Sequence, residues 1–179
     1  MSESKKAKFQ LVPDLLHTPL ERFDFNNPPV DPIQLAIDLT ETMLFHNGLG
    51  LAANQCGLPY RVCAIRSDPV IVMFNPKIVD WSEEHDVLDE GCLSFPNMLV
   101  KVKRPKYIRI RYTRPNGETV TERYAGMTAR IMCHEIQHLD GMLFTHQMTK
   151  FELRLMIERF NKKHRTRYQI SDFRSKSET

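Results

Sequence analysis

The chain has 179 residues, 41% of them hydrophobic, which is enough for one compact domain with a sizeable core and short for two. The net charge of +3 is modest and excludes a chain-wide attraction to nucleic acid. No apolar run has transmembrane or signal-peptide character, and the four cysteines form no C-x-x-C pair. We therefore expect a single domain over 1–179, in the reducing cytoplasm and with no membrane partner.

The N-terminal 30 residues are expected to be irregular, because four prolines between positions 13 and 29 prevent a long helix. Asp31-Pro32 then favours a helix start, with aspartate as the cap and proline at the first helical position. Asn47-Gly48 is typical of a helix end, which predicts a helix over 32–46. Its core-facing positions are expected at helical spacing: Ile33, Ala36, Ile37, Thr40, Met43 and Leu44.

A small and mostly apolar stretch, GLGLAANQCG, follows from Gly48 to Gly57. Its three glycines permit unusual backbone dihedrals or a close backbone approach by a ligand. Because no strand precedes it and no G-K-[S/T] follows, we exclude a phosphate-binding loop. A ligand-binding loop and a tight loop packed against a sheet both remain compatible with these residues.

The middle of the chain alternates short apolar runs with turn residues, as is typical of β-strands. Strands are predicted over 61–66, 70–74 and 77–81, and the acidic residues 83–86 are predicted to form a solvated loop. Pro115-Asn116-Gly117 predicts a hairpin turn between strands over 107–112 and 119–124.

A helix over 149–163 is predicted from Leu153, Met156, Ile157 and Phe160, which share one helical face. The predicted fold class is therefore α+β. Short, mostly antiparallel strands surround a buried central helix that binds metal, with one helix near the N-terminus and one near the C-terminus.

The central helix contains the motif H-E-x-x-H and ends at Gly141. At 3.6 residues per turn, His134 and His138 fall about 40° apart on one helical face, so both imidazoles can reach one metal ion. Glu135 lies about 100° from His134, close enough to contact a water on that ion without becoming a ligand. An amphipathic helix that carries two histidines by coincidence is the alternative.

Two histidines rarely complete a metal site, so a third protein ligand is expected. Cys92 is the best candidate, because it is predicted to lie in a turn between the acidic loop and an apolar strand. A bound cation would favour its thiolate form. Cys56, Cys63 and Cys133 are interpreted as small buried apolar residues.

Three stretches together resemble the peptide deformylases: Gly48–Gln55 as G-x-G-L-A-A-x-Q, Glu90–Ser94 as E-G-C-L-S, and His134–His138 as H-E-x-x-H. Their order and separations are similar to those of that family, and the resemblance covers roughly residues 10–160. It implies an enzyme that removes the formyl group from the N-terminal formylmethionine of nascent polypeptides and releases formate.

The resemblance also implies the metal centre. One divalent ion, usually Fe(II) in the family and replaceable by Zn(II), Ni(II) or Co(II), would be held with a water as fourth ligand. Glu135 would activate that water as general base and later act as general acid. The protein ligands would be Cys92, His134 and His138.

Further roles follow from the same resemblance. Gln55 and the backbone N–H of Leu93 would hold the formyl oxygen as it gains negative charge. Leu49 and Gly50 on one side, and Gly91 on the other, would lie along the substrate backbone like neighbouring strands.

Met127 and Ile131 precede the H-E-x-x-H motif on a similar helical face and are candidates for the wall of a methionine pocket. Ordinary core packing explains each of them equally well. The family usually has aspartate at Gln137 and glutamine at Cys133, so contacts around the ligands are expected to differ. Leu99 stands where many members have an arginine against the peptide backbone, which predicts weaker binding of longer peptides.

The segment Lys150–Arg167 carries seven basic residues against two acidic ones, a net charge of +5. This basic helix and tail, 150–179, is interpreted either as a solvated surface or as a contact with ribosomal RNA near the exit tunnel, where some relatives dock a C-terminal helix. Two other functions remain open at this point. One is a zinc peptidase, and the other is an inactive homologue that binds formylated N-termini or the ribosome.

Overall fold

The regular structure of this computed structural model lies within residues 7–174, the part of the chain that the structure describes. The predicted α+β class is confirmed, and the ends of the predicted domain, 1–6 and 175–179, lie outside the described residues. The elements are α1 (Pro32–Phe45), β1 (Gly50–Ala52), β2 (Val62–Ile65), β3 (Ile71–Trp81), β4 (His85–Cys92), β5 (Phe95–Pro105), β6 (Tyr107–Thr113), β7 (Thr119–Ala125), α2 (Gly126–Leu139) and α3 (Lys150–His164).

The strands form two separate antiparallel sheets. Five of them pair in the order β1-β2-β3-β6-β7, while β4 and β5 form a two-stranded hairpin. Within residues 7–174, every helix falls short of the length and apolar character that crossing a membrane requires.

Helix α1 begins as predicted, because the Asp31 carboxylate accepts hydrogen bonds from the N–H groups of Ile33 and Gln34 at 2.8 and 3.3 Å. Its predicted core face was partly wrong. Ile33, Ile37 and Leu44 are exposed, since the helix rests on the sheet through a neighbouring stripe. The buried residues are Leu35, Ala36, Leu39, Thr42 and Met43.

Two strand predictions were also wrong. The segments 70–74 and 77–81 belong to one strand, β3, whose register shifts between Phe74 and Lys77 where Asn75 adopts φ 52°. The predicted acidic loop 83–86 overlaps β4, which begins at His85. The sequence of β4 does not alternate between apolar and polar residues, because most of its side chains are exposed. Pairing with β5 holds this strand in place.

The structure contains the other predicted strands, 61–66, 107–112 and 119–124, and both predicted helices, 32–46 and 149–163, to within one residue at each end. The 115–117 turn joins β6 and β7 in register, and the Thr149 hydroxyl caps α3. Helix α2 ends before Gly141, whose φ is +72°. A Cβ there would lie 2.9 Å from the backbone oxygen of His17, so only glycine fits both the turn and the contact.

The core consists of two clusters of buried apolar side chains, and α2 lies between them. The larger cluster joins α1, the five-stranded sheet and α2, with Leu39, Met43, Ile65 and Ile110 among its members. The smaller cluster joins the β4–β5 hairpin, α3 and the residues that follow α2. The hairpin therefore packs on the smaller cluster, whereas the five-stranded sheet packs on the larger one.

Candidate metal centre

Helix α2 places two imidazoles side by side in the interior. The Nε2 atoms of His134 and His138 lie 3.2 Å apart, and both side chains are buried. This is the separation of four residues on one helical face that the sequence spacing predicts. Both nitrogens are therefore close enough to bind a single metal ion.

Cys92 approaches these histidines from the hairpin. Its Sγ lies 3.2 Å from Nε2 of His138, and the three candidate ligand atoms all lie within 4.8 Å of one another. Cys92 is the last residue of β4, just before the turn into β5, and not part of a longer loop. Pairing with β5 thus fixes a residue that is 46 positions distant from His138.

The donor atoms fit a divalent ion of the first transition series. Bonds of about 2.0–2.1 Å to nitrogen and about 2.3 Å to sulfur at tetrahedral angles put two nitrogens about 3.3 Å apart and nitrogen and sulfur about 3.6 Å apart. The observed separations of 3.2 Å are close to both values. Two imidazoles and one thiolate also suit Fe(II) or Zn(II) better than Mg²⁺ or Ca²⁺.

Glu90 orients the first histidine. Its Oε2 lies 3.1 Å from Nδ1 of His134, so that an N–H at this position leaves Nε2 free to bind metal. Burial raises the pKa of Glu90, but hydrogen bonds with His134 and Arg104 outweigh it and lower the pKa to about 2. The carboxylate is therefore ionised at neutral pH.

Two buried arginines hold this carboxylate, and the sequence analysis assigned a role to neither. Arg104 donates to both oxygens of Glu90, at 3.0 and 2.8 Å. Arg130 donates to Oε1 of Glu90 at 2.7 Å and to the backbone oxygens of Asp86 and Val102 at 2.7 and 2.9 Å. Arg130 lies one helical turn before His134, so its spacing in the sequence could have indicated that it reaches the same site.

The two histidines differ in how they hold a proton. Burial lowers the pKa of His134, but hydrogen bonds with Cys92 and Glu90 raise it to about 10. Burial and the neighbouring His134 lower the pKa of His138 well below its usual value. A bound cation would compete with protons for the lone pairs of these nitrogens.

Glu135 lies beside the candidate ligands and takes no part in the hydrogen bonds between them. Its Oε2 is buried and has no hydrogen-bond partner among the described residues. Burial raises its pKa to about 7, against the opposing charge of His134. A buried carboxyl oxygen without a partner is costly, so Oε2 is expected to face a reacting molecule.

Gln55 presents its amide N–H₂ to the same space. Its Oε1 accepts a hydrogen bond from the N–H of Ala52 at 2.9 Å, which assigns the other end of the amide as the donor. Nε2 lies 3.1 Å from Oγ of Ser94 and 3.5 Å from Sγ of Cys92. Leu93 follows Cys92 in the turn before β5 and lines the same cavity.

The cavity above these groups has a volume of about 660 Å³. Its walls come from the end of α1 and β1 on one side, the hairpin on the other, and α2 below. His138 lies outside this lining and Leu99 is 67% exposed at its rim. The predicted residues that line it are Leu49, Gly50, Gln55, Gly91, Cys92, Leu93, Met127, Ile131, His134 and Glu135.

The two departures on α2 lie outside this lining. The Cys133 thiol is buried, and burial raises its pKa to about 11. The side-chain oxygen of Gln137 is buried and has no hydrogen-bond partner within residues 7–174. The sequence analysis also missed Asn54, which lies in the short turn after β1 and whose Nδ2 donates to the backbone oxygen of His138 near the end of α2.

An α+β fold in which an H-E-x-x-H helix meets a distant cysteine below a deep cleft is that of a metal-binding hydrolase. The polypeptide deformylase family model matches residues 10–154. Peptide deformylase of Rhizobium meliloti is 37% identical over 156 residues, which is 84% of this chain and 87% of that protein.

Solved structures agree. The Synechococcus elongatus peptide deformylase in complex with actinonin matches 97% of this chain and 93% of its own, with a TM-score of 0.81 and 29% identity. A Met-Ala-Ser-bound class I type b peptide deformylase from Acinetobacter baumannii matches 75% of this chain and 92% of its own, with a TM-score of 0.69 and 32% identity. The chain belongs to the peptide deformylase family, which consists of metal-dependent enzymes that act on N-formylmethionyl peptides.

Proposed function

We propose that this chain hydrolyses the formyl group from the N-terminal formylmethionine of nascent polypeptides. The observation that carries the proposal is the meeting of three donor atoms, within 4.8 Å of one another, beside Glu135, whose buried Oε2 has no hydrogen-bond partner among the described residues. The Met-Ala-Ser bound to the Acinetobacter baumannii enzyme supports the same class of substrate, because this peptide is what deformylation of formyl-Met-Ala-Ser would leave.

The ion would be held by Cys92, His134 and His138. When bound, a divalent cation lowers the pKa of water and polarises a carbonyl group. It would thereby make water a better nucleophile and the formyl carbon a better electrophile. We infer Fe(II) from the resemblance to the family, with Zn(II), Ni(II) and Co(II) as substitutes; the mixed sulfur and nitrogen donors suit Fe(II) or Zn(II) and do not choose between them.

Glu135 would move the protons of the reaction. Its carboxylate takes a proton from water as the water oxygen attacks the formyl carbon. It then gives that proton to the amine nitrogen as the carbon–nitrogen bond breaks, which leaves formate and a free N-terminus. Such transfers typically contribute about 10²–10⁴-fold to the rate.

Gln55 and the backbone N–H of Leu93 would stabilise the oxygen that becomes negative. Each such donor is worth roughly 2.7–4 kcal/mol in acyl transfer. The neutral amide of Gln55 suits this role, because it donates without adding a charge that competes for the cation. Its position next to Sγ of Cys92, at 3.5 Å, supports the assignment.

The substrate would lie extended between the two sides of the cleft. On one side, Leu49 directly precedes β1 and Gly50 is its first residue, and on the other side Gly91 lies on the hairpin. Met127 and Ile131 would bound the pocket for the methionine side chain. Both are partly accessible in the cavity wall, with Met127 55% exposed, which favours a ligand contact over core packing for this residue.

One assay tests the proposal. Protein purified without oxygen and loaded with Fe(II) is incubated with formyl-Met-Ala-Ser, and formate and new primary amine are measured. Glu135→Gln is the matched control, since it should retain metal and lose turnover. Cleavage of the peptide bonds would instead identify a peptidase, and binding without formate would identify an inactive homologue.

We also propose a contact between α3 and ribosomal RNA. Arg154 and Lys162 are exposed on the outer face of this helix, and neither forms a salt bridge within the described residues. Unpaired cations on one helix face are the kind of surface that phosphate backbones attract.

A further inference from the structure

A second cavity lies next to the cleft, between the hairpin and α3. It has a volume of about 550 Å³. Asn97, Met98 and Leu99 line both cavities, so a single stretch of β5 separates them. We call this second cavity the α3 groove.

The floor of the α3 groove is apolar and adaptable. Met148, Leu155, Met156 and Phe160 line it, and each is only partly buried. Methionine side chains are flexible and polarisable, and they accommodate varied partners at promiscuous surfaces. Such a floor suits a ligand whose sequence is not fixed.

The rim of the groove is positively charged. Arg159 and Lys163 line it, are exposed, and form no salt bridge within residues 7–174. The ring of His164 stacks on Phe160, with centroids 4.3 Å apart. The acidic lining residue Glu152 is already engaged, since its carboxylate accepts hydrogen bonds from the N–H and hydroxyl of Thr149 at 2.8 Å each.

We propose that the α3 groove binds the part of the substrate that follows the residues held in the cleft, and that it favours acidic side chains there. This inference rests on the proposed function. A nascent chain is continuous and advances about 3.3–3.6 Å per residue when extended, so its downstream residues must leave the cleft across one of its walls.

The wall shared with the α3 groove offers a suitable exit. Leu99 is 67% exposed and lines both cavities, so it gives the peptide an apolar surface to cross. Beyond it the unpaired charges of Arg159 and Lys163 complement carboxylates. Leu99 lacks the contact that an arginine at this position would make with the peptide backbone, and the cationic groups further along the proposed path would add contacts for peptides with an acidic extension.

The test compares three substrates. These are formyl-Met-Ala-Ser, the same peptide extended by Leu-Glu-Glu-Ala, and the same peptide extended by Leu-Lys-Lys-Ala. At low salt the acidic extension should lower KM about three- to tenfold relative to the basic one, with kcat unchanged, as expected for two partly exposed charge pairs. The difference should disappear in about 1 M salt, where the Debye length is about 3 Å.

Variants then assign the effect to the groove. R159E/K163E should reverse the preference, and R159Q/K163Q should abolish it, while turnover of formyl-Met-Ala-Ser stays unchanged in both. The matched control is K77E/R111E, which makes the same charge change at exposed positions of the five-stranded sheet, outside the lining of both cavities. It should keep the wild-type preference.

The outcomes separate the two proposals. If wild-type protein turns over formyl-Met-Ala-Ser but shows equal KM for the two extensions, the groove proposal is wrong and the proposed function stands. The groove proposal is also wrong if K77E/R111E changes the preference as much as R159E/K163E, or if R159E/K163E weakens only ribosome binding. If no formate appears from any substrate, the proposed function itself fails.

Discussion

The backbone of Gly50 lies directly against the side chain of Glu135. A Cβ built on Gly50 would stand 2.7 Å from both Cγ and Cδ of Glu135, far inside van der Waals contact. Gly50 belongs to β1 and Glu135 to α2, so the edge of the five-stranded sheet sets the position of the carboxyl group. The glycine is required by this close approach and not by its dihedral angles.

Gly50→Ala should therefore displace Glu135 and reduce kcat for formyl-Met-Ala-Ser by about 10²-fold, on the scale of a lost general base. Metal content should not change, because the ligands lie elsewhere. Gly48→Ala is the comparison, since its Cβ would meet the end of the Leu93 side chain at 2.8 Å and the backbone oxygen of Gly50 at 3.1 Å, with Glu135 not among its nearest atoms. Equal losses in both variants would contradict the contact as the cause.

Arg130 joins both strands of the hairpin to the helix that bears the histidines. Arg130→Met should destabilise the protein by about 3–5 kcal/mol, because it breaks a buried ion pair and leaves carbonyl oxygens unpaired. Metal should also dissociate faster to a chelator, since Glu90 loses part of its support. Thermal unfolding and chelator kinetics measure the two effects, with the exposed Arg111→Met as control. An unchanged melting temperature would show that Arg104 alone suffices.

Gln55→Leu should remove one donor to the developing oxyanion while keeping the side-chain size. We expect kcat to fall by about 10²–10³-fold with a small change in KM, because the contact strengthens only as charge develops. Ser94→Ala is the comparison, as Ser94 only accepts from Gln55 at 3.1 Å. A rise in KM alone would mean that Gln55 contributes to ground-state binding.

A pH dependence of stability is expected from the hairpin of β6 and β7. Hydrogen bonds from the hydroxyls of Tyr124 and Tyr112 lower the pKa of Glu122. Because the folded pKa lies below the unfolded value, this stabilisation is fully present above about pH 4.3 and is lost as the pH falls through the folded pKa.

Glu122→Gln should accordingly lower stability by about 0.5–1.5 kcal/mol at neutral pH. The difference in melting temperature between the two proteins should narrow as the pH is lowered from 6 to 3. Thermal unfolding at several pH values measures it. A gap that stays constant over this range would show that ionised Glu122 does not contribute through these hydrogen bonds.

Charge reversal at Arg154 and Lys162 should weaken co-sedimentation with ribosomes at low salt. Turnover of formyl-Met-Ala-Ser should persist, because neither residue lines the cleft. The loss should shrink as salt rises, as counterion release requires. Unchanged co-sedimentation would remove the case for an RNA contact on this face.

Local rules predicted those parts of the fold whose partners are close in sequence. The cap of Asp31, the turn at Gly117 and the spacing of His134 and His138 depend on neighbours within a few residues, and all are found as predicted. Strand β4 was missed because its exposed charged residues show no apolar period. Its order comes from β5, which lies beyond the turn.

The candidate site shows the same division. Its motif residues were visible in the sequence, yet the buried contacts of Glu90 with Arg104 and Arg130 span 14 and 40 positions. No periodicity links residues so far apart. Only the burial of a carboxylate, which demands cationic partners, explains why both arginines are found there.

The hairpin that carries Cys92 shares no strand with the five-stranded sheet in the described part of the chain, and at its far end Lys106 pairs with Glu84 at 2.8 Å. That end is also held by a backbone hydrogen bond from the N–H of Lys106 to the oxygen of Glu84 at 3.0 Å, whereas the end that carries Cys92 packs through its side chains. An ion held between Cys92 and the two histidines would thus also fix the spacing between the hairpin and α2, which form opposing walls of the cleft. Losing the ion would change the width of the peptide channel as well as the chemistry, so metal supply would govern substrate affinity and turnover together.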